Sequence, residues 1–364
     1  MTELTLGNGL LRVDWPDAPA DYPFIWLRDN GPDAFHPATQ ERVIDLLAVP
    51  EAPVLQDARI DGPRLVLDWA DTGEAAFDLD WLARHRPGRR IDDPADISFE
   101  PWSERFEPPR HRAADIANSD DALLAWLRET KTKGLTLVEG LSGDGAGVAL
   151  AQRIGFLRRT NFGTTFEVVS KPDPNNSAYT ADALPLHTDL PNQEVPPGYQ
   201  FLHCLENAAE GGGSVFADGV ALAEALRIED PDAFDLLASV PIQFRFHDAE
   251  TDIRVRRPVI NLDEAGQVVE LRWNAHIADV FDMGPDVLSA YYRAYRAYMA
   301  LTREARFRVE LRLAPGEMVV FDNRRVLHGR EAFDPSTGRR HLQGCYVDRG
   351  EFDARLRKLG ESFR

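Results

Sequence analysis

The chain has 364 residues, enough for two domains, and its 43% apolar and 28% charged residues suit a globular protein. A formal charge of −19 argues against a nucleic-acid partner, whose phosphates would be repelled, and mildly favours cationic small molecules. No apolar run is long enough to cross a bilayer, Met1-Thr2-Glu3-Leu4 lacks the regions of a secretory signal, and Cys204 and Cys345 make no disulfide framework, so the expectation is a cytoplasmic protein with no membrane partner.

Residues 1–85 read as a small β-rich domain. Leu10-Leu11-Arg12-Val13-Asp14-Trp15 and Arg64-Leu65-Val66-Leu67-Asp68-Trp69 alternate, beside the turn signals Asp61-Gly62 and Asp71-Thr72-Gly73. Residues 86–114, with Pro87, Pro94, Pro101, Pro108 and Pro109, read as a surface linker. Residues 115–364 form the second domain. Ser119-Asp120-Asp121 caps a helix through Leu123, Leu124, Trp126 and Leu127 that Gly134 stops, and Leu135-Thr136-Leu137-Val138 follows as a buried strand. A second helix is expected over 147–156, then helices over 221–226 and 231–238 and strands near 242–246, 255–260 and 267–273. From Pro285 a long amphipathic helix places Leu288, Tyr291, Tyr292, Tyr295 and Met299 on one core-facing stripe. Strands at 307–313, 318–321 and 342–347 close the chain. Mixed strands with helices to one side, a mainly β chain of the α+β kind, suggest a double-stranded β-helix, or jelly roll, with a metal between its sheets.

The chemistry centres on Leu184-Pro185-Leu186-His187-Thr188-Asp189-Leu190-Pro191. Residues two apart on an extended strand share a face, so His187 and Asp189 aim a nitrogen and a carboxylate oxygen at one point. Two histidines and one carboxylate on one face of an iron, with open positions opposite, are the ligand set of non-haem Fe(II) oxygenases. Val326-Leu327-His328-Gly329-Arg330 supplies a distant second histidine, and Arg339-Arg340-His341 a grip for a cosubstrate carboxylate.

Leu186-His187-Thr188-Asp189, Phe201-Leu202-His203-Cys204, Gly211-Gly212-Gly213-Ser214, Phe321-Asp322-Asn323-Arg324-Arg325-Val326-Leu327-His328-Gly329-Arg330 and Arg340-His341-Leu342-Gln343-Gly344-Cys345-Tyr346 occur in that order. Together they resemble the γ-butyrobetaine hydroxylase branch of the taurine-dioxygenase-like superfamily, the Fe(II)- and 2-oxoglutarate-dependent oxygenases. The resemblance spans the chain, including Trp26-Leu27-Arg28-Asp29-Asn30 near its start. It implies iron ligands His187, Asp189 and His328, with Arg340 pairing with the distal carboxylate of 2-oxoglutarate and Ser214 hydrogen-bonding the same molecule. A guanidinium fork suits a carboxylate in bidentate geometry. His203 lies outside the ligand pattern and reads as a packed core histidine. Arg339 reads as a solvated charge, and Arg330 as a partner for Asp322 or Asp189.

The implied reaction consumes O2 and 2-oxoglutarate, releases succinate and CO2, and hydroxylates a C–H bond of a small trimethylammonium zwitterion, with ascorbate as a stimulant. Phe162, Phe166, Tyr179 and Tyr346 match the aromatic cage for the trimethylammonium head. Ring faces attract a cation that has no N–H to satisfy. Phe162 and Phe166 also stand at helical spacing. Asn176 matches a residue for the substrate carboxylate, and a second asparagine falls at or beside Asn274-Ala275. With Arg272 and His276 nearby, a larger anion such as that of 2-(trimethylammonio)ethylphosphonate, in organophosphonate catabolism, competes with γ-butyrobetaine. The family's N-terminal zinc site holds three cysteines, which Gly31-Pro32-Asp33-Ala34-Phe35-His36 lacks, so no zinc is expected. The resemblance implies a homodimer. A metal-binding sensor without activity and a jelly-roll enzyme using another divalent metal without 2-oxoglutarate are the competing readings.

Overall fold

The computed structural model describes residues 2–170 and 180–362 and divides into two compact units, Met1–Asp93 and Pro94–Arg364. The first unit holds two three-stranded antiparallel sheets, one of Glu3–Gly7, Leu10–Asp14 and Pro19–Pro23, the other of Leu55–Asp61, Arg64–Trp69 and Gly73–Asp78. The expected alternation is real: Leu11 and Val13 are buried while Leu10 and Arg12 are exposed. Leu11, Val13, Tyr22, Leu65, Leu67 and Trp69 make the core of this unit, and the Tyr22 hydroxyl donates to the Leu82 carbonyl at 2.8 Å. Trp26-Leu27-Arg28-Asp29-Asn30 lies on the short helix Phe24–Asp29 and its C-cap, where Arg42 reaches back to the Asp29 carboxylate (2.7 Å) and the Asn30 side chain (2.8 Å). His36 Nδ1 accepts from the backbone of Thr39 (3.1 Å), so hydrogen bonds close this loop.

The second unit is mixed α/β and is built on two sheets. One has the order Arg110–Arg112, Leu135–Glu139, Met318–Asp322, Tyr199–Asn207, Arg340–Val347, Thr165–Val169, and the other Leu184–His187, Val326–Arg330, Ser214–Asp218, Val309–Leu311. The first pair is parallel and the rest antiparallel. Alternation sorts the larger sheet's residues. Leu202, Val319, Phe321 and Leu342 join Phe216, Val309 and Val326 of the smaller sheet in one cluster, with the Phe216 and Phe321 rings 5.5 Å apart. Their neighbours Phe201, Val320, Cys345 and Val347 point the other way, onto Leu123, Trp126 and Leu127 of the helix Asp120–Lys133. That helix is capped as expected: Ser119 Oγ accepts from the Ala122 N–H, and Gly134 ends it at φ 76°.

Three expectations need correction. Residues 94–114 are no surface linker: they belong to the second unit, Ala95 and Trp102 are buried, and Arg110–Arg112 is a sheet strand. The expected helix over 147–156 ends at Gln152, and Phe156 is exposed. On the helix Pro285–Leu301 the buried tyrosines are Tyr291, Tyr295 and Tyr298, whereas Tyr292 is 49% exposed; Trp273 packs on Tyr295 and Tyr298 at 4.5 and 4.8 Å. Among the described residues no helix is long and apolar enough to cross a membrane.

Candidate active site

His187 closes the Leu184–His187 strand and faces His328 as its antiparallel partner, with the rings 4.3 Å apart. Asp189 lies beyond the strand's end, so the pleat of an extended strand is not what aims it. The chain turns here, Leu190 takes φ 53°, and Asn323 clamps the turn. Asn323 Oδ1 accepts from the Asp189 N–H (2.7 Å), while its Nδ2 donates to the carbonyls of Asp189 (3.0 Å) and Pro197 (3.1 Å). Asp189 Oδ1 thereby sits 3.3 Å from His187 Nε2 and 3.7 Å from His328 Nε2. The His187 Nδ1–H donates to the Pro185 carbonyl at 2.9 Å, which fixes the tautomer and leaves Nε2 unprotonated for a ligand. The Tyr346 hydroxyl donates to the second Asp189 oxygen at 2.7 Å.

Electrostatics follow from this packing. Burial alone would raise the Asp189 pKa, but His328, His187 and the Tyr346 hydroxyl hold it well below the usual carboxylate range. Burial, with His187 beside it, pushes His328 down to about 3, so it is a neutral donor at pH 7. Burial would also lower His187, but the hydrogen bond and charge of Asp189 outweigh it and raise its pKa. Two imidazole nitrogens and a carboxylate oxygen, all within 4.8 Å of one another, fit a divalent iron: ligands about 2.1 Å from one ion and at right angles to each other stand roughly 3 Å apart.

The three donors open into a cavity of about 310 Å³. Arg340 lines it, buried, its Nε donating to the Gly212 carbonyl at 3.1 Å. Burial and nearby Arg330 lower its pKa to about 10, which leaves it charged at neutral pH. Ser214, buried, also lines the cavity, paired in register with Arg330. Phe162, Phe166 and Tyr346 contribute aromatic faces. Phe162 sits in a turn and Phe166 on the Thr165–Val169 strand, so their spacing is not that of a helix. The Phe166 ring lies 5.0 Å from Tyr346 and crosses Gly344, where a Cβ would come within 2.3 Å of it. Asn274 faces the cavity beside the triad because Trp273 is stitched to Thr188: the Thr188 N–H donates to the Trp273 carbonyl (2.6 Å), and the Trp273 N–H to Thr188 Oγ1 (3.1 Å). Asn176 and Tyr179 lie outside the described residues.

Sequence reasoning missed Phe246, whose ring stands 5.5 Å from Phe162, and the cavity-lining amides Asn192 and Gln200. The strand expected near 242–246 was its only trace of Phe246. Arg272 is not a substrate donor. It is buried against Glu270 (2.7 Å) and donates to the carbonyls of Pro191, Gln193 and Glu194. Arg330 donates to the Thr180 and Asp182 carbonyls rather than orienting Asp322, which Arg349 holds at 2.7 Å. Arg339 is exposed, 3.4 Å from Glu206, and His203 is buried and does not line the cavity. His276 lines the cavity, and burial together with His187 lowers its pKa.

Residues 98–346 match the family model "Taurine catabolism dioxygenase TauD, TfdA family", which covers well over half of the chain. The chain belongs to this family. It is an Fe(II)/2-oxoglutarate-dependent dioxygenase, and its fold brings His187, Asp189 and His328 together as a group that could hold a metal ion. Among curated relatives of this TauD-family chain, the γ-butyrobetaine dioxygenase of Pseudomonas sp. (strain AK-1) is 44% identical over 95% of this chain and 92% of its own. The γ-butyrobetaine dioxygenase of Homo sapiens is 30% identical over 97% and 95%. The solved structure of an asparagine oxygenase in complex with Fe(II), 2S,3S-3-hydroxyasparagine and succinate shares the fold. Its TM-score is 0.52 at 22% identity, covering 65% of this chain and 83% of that one.

Proposed function

We propose that this dioxygenase hydroxylates γ-butyrobetaine or a close trimethylammonium carboxylate, giving a carnitine-type product, in a double-stranded β-helix whose iron ligands are His187, Asp189 and His328. The observation that carries this reading is the make-up of the cavity: the donor triad opens onto the rings of Phe162, Phe166, Phe246 and Tyr346. Aromatic faces in a water-poor site favour a cation that cannot donate a hydrogen bond. The relatives named for γ-butyrobetaine, matched over nearly their whole length, point the same way. Of the two donors the phosphonate reading leaned on, Arg272 is consumed by Glu270 and three carbonyls, and His276 lines the cavity with its pKa lowered by burial and His187.

Iron with 2-oxoglutarate and O2 supplies the oxidising power that breaks the C–H bond. The chain's own residues position and shield. Pro185 and Asn323 fix the donors, Arg340 and Ser214 hold the carboxylate tail of 2-oxoglutarate, and Asn274 helps to hold the substrate's anion. The rings exclude water around the reacting carbon. The assembly that fits is a homodimer; the exposed Val43, Leu46, Leu47 and Val54 of the first unit support it, and light scattering at twice the chain mass tests it. The functional test is succinate release with γ-butyrobetaine, trimethyllysine and the trimethylammonium phosphonate side by side. The first should turn over fastest, and a faster phosphonate overturns the carboxylate assignment.

A further inference from the structure

Among the described residues, the aromatic rings that line the cavity are those of Phe162, Phe166, Phe216, Phe246 and Tyr346, and Tyr346 alone carries a hydroxyl. A ring face is all that a quaternary cation asks of such a residue. The hydroxyl therefore serves something else. It donates to Asp189 Oδ2 at 2.7 Å, across 157 positions of chain.

The two oxygens of Asp189 have different surroundings. Oδ1 faces the donor nitrogens, 3.3 Å from His187 Nε2 and 3.7 Å from His328 Nε2. Oδ2 is turned to Tyr346. Asn323 does not settle which oxygen points where, because it bonds the Asp189 backbone and not the carboxylate. Tyr346 is itself firmly held: it is 4% exposed on the strand Arg340–Val347, with the Phe166 ring 5.0 Å away. An ionised carboxylate can give a metal ion one oxygen or both. A second oxygen would fill one of the open positions that 2-oxoglutarate and O2 need.

We propose that Tyr346 is a positioning residue whose hydroxyl engages Asp189 Oδ2 and so keeps Asp189 to one coordinating oxygen, Oδ1. This inference rests on the reading of Asp189 as an iron ligand. One side chain then has two duties, a ring for the substrate pocket and a hydroxyl for the metal site, and substitution separates them.

The test uses anaerobic protein and three affinities. Calorimetry gives those for Fe(II) and for γ-butyrobetaine on the Fe(II)-loaded protein, and the visible charge-transfer band gives that for 2-oxoglutarate. Tyr346→Phe keeps the ring and removes the hydroxyl. Its 2-oxoglutarate affinity should fall about tenfold, the low end of what partners behind a metal ligand contribute. Its Fe(II) affinity should stay within about threefold, because the freed oxygen turns to the ion. Its γ-butyrobetaine affinity should stay within about twofold, because the ring face is kept. Tyr346→Met also lacks the hydroxyl and should lose the same 2-oxoglutarate affinity, which carries the test if the phenylalanine variant does not fold. A wild-type protein that shows no band overturns the ligand reading, and this inference with it. A wild-type band together with a Tyr346→Phe protein that keeps full 2-oxoglutarate affinity, or that loses Fe(II) affinity as steeply, overturns this inference alone.

Discussion

The donor side and the aromatic side of the cavity are built in opposite ways. On the donor side the protein supplies partners for two of the three ligands, Pro185 for His187 and Asn323 and Tyr346 for Asp189, while His328 packs 4.8 Å from the Phe321 ring with its Nδ1 unpaired. On the aromatic side the walls are the rings of Phe162, Phe166, Phe246 and Tyr346. A site that must hold a small ion at short bond lengths needs its ligands fixed beforehand. A site that recognises a diffuse charge needs ring faces left over for the ligand. The contrast separates what should happen when either side is damaged.

The largest effect is expected on the donor side. His187→Ala should abolish substrate-coupled succinate release and iron binding, whereas Phe162→Ala should raise KM and leave iron binding nearly intact. Equal loss of iron in the two variants would break the division. Asn323→Ala touches no ligand side chain but removes the clamp on Asp189, and iron affinity should fall roughly 10- to 100-fold, with KM for substrate unchanged at saturating iron. On the aromatic side, Phe166→Ala removes one ring face, about 0.5–2 kcal/mol, read as a rise in KM with kcat nearly constant. Gly344→Ala should move KM in the same direction, because its Cβ would displace the Phe166 ring. The smallest effect concerns neither side. Burial pushes Cys204 up to about 11 and Cys345 to about 12, so a thiol reagent at pH 8 should label neither in the native protein and both after unfolding.

The division also explains what the sequence made legible. His187, Asp189, His328, Arg340 and Ser214 sit in short contiguous motifs, and the structure brings all of them to one cavity. Asn323 stood inside such a motif, yet its role lies in a contact across 134 positions of chain, which local pattern does not encode. Gln200 and Phe246 reach the cavity through strand register, and register is settled by tertiary packing. The proline-rich stretch before Arg112 misled for a related reason. Proline disfavours helix and strand interiors but says nothing about burial, and Ala95 and Trp102 are buried within it. On the long helix, tyrosines at 291, 292, 295 and 298 left the phase of the stripe open by one residue, and Trp273 settled it in favour of Tyr298.

The central claim is that an iron held by His187, Asp189 and His328 looks onto a pocket for a quaternary ammonium. The visible spectrum of the anaerobic protein tests both halves at once. Fe(II) with 2-oxoglutarate should give a weak charge-transfer band that is missing in the His187→Ala and His328→Ala variants. γ-Butyrobetaine should shift that band where 5,5-dimethylhexanoate, its isostere with an uncharged tert-butyl head, does not at the same concentration. A protein that shows no band, or a band that neither compound or both compounds alter equally, contradicts the account.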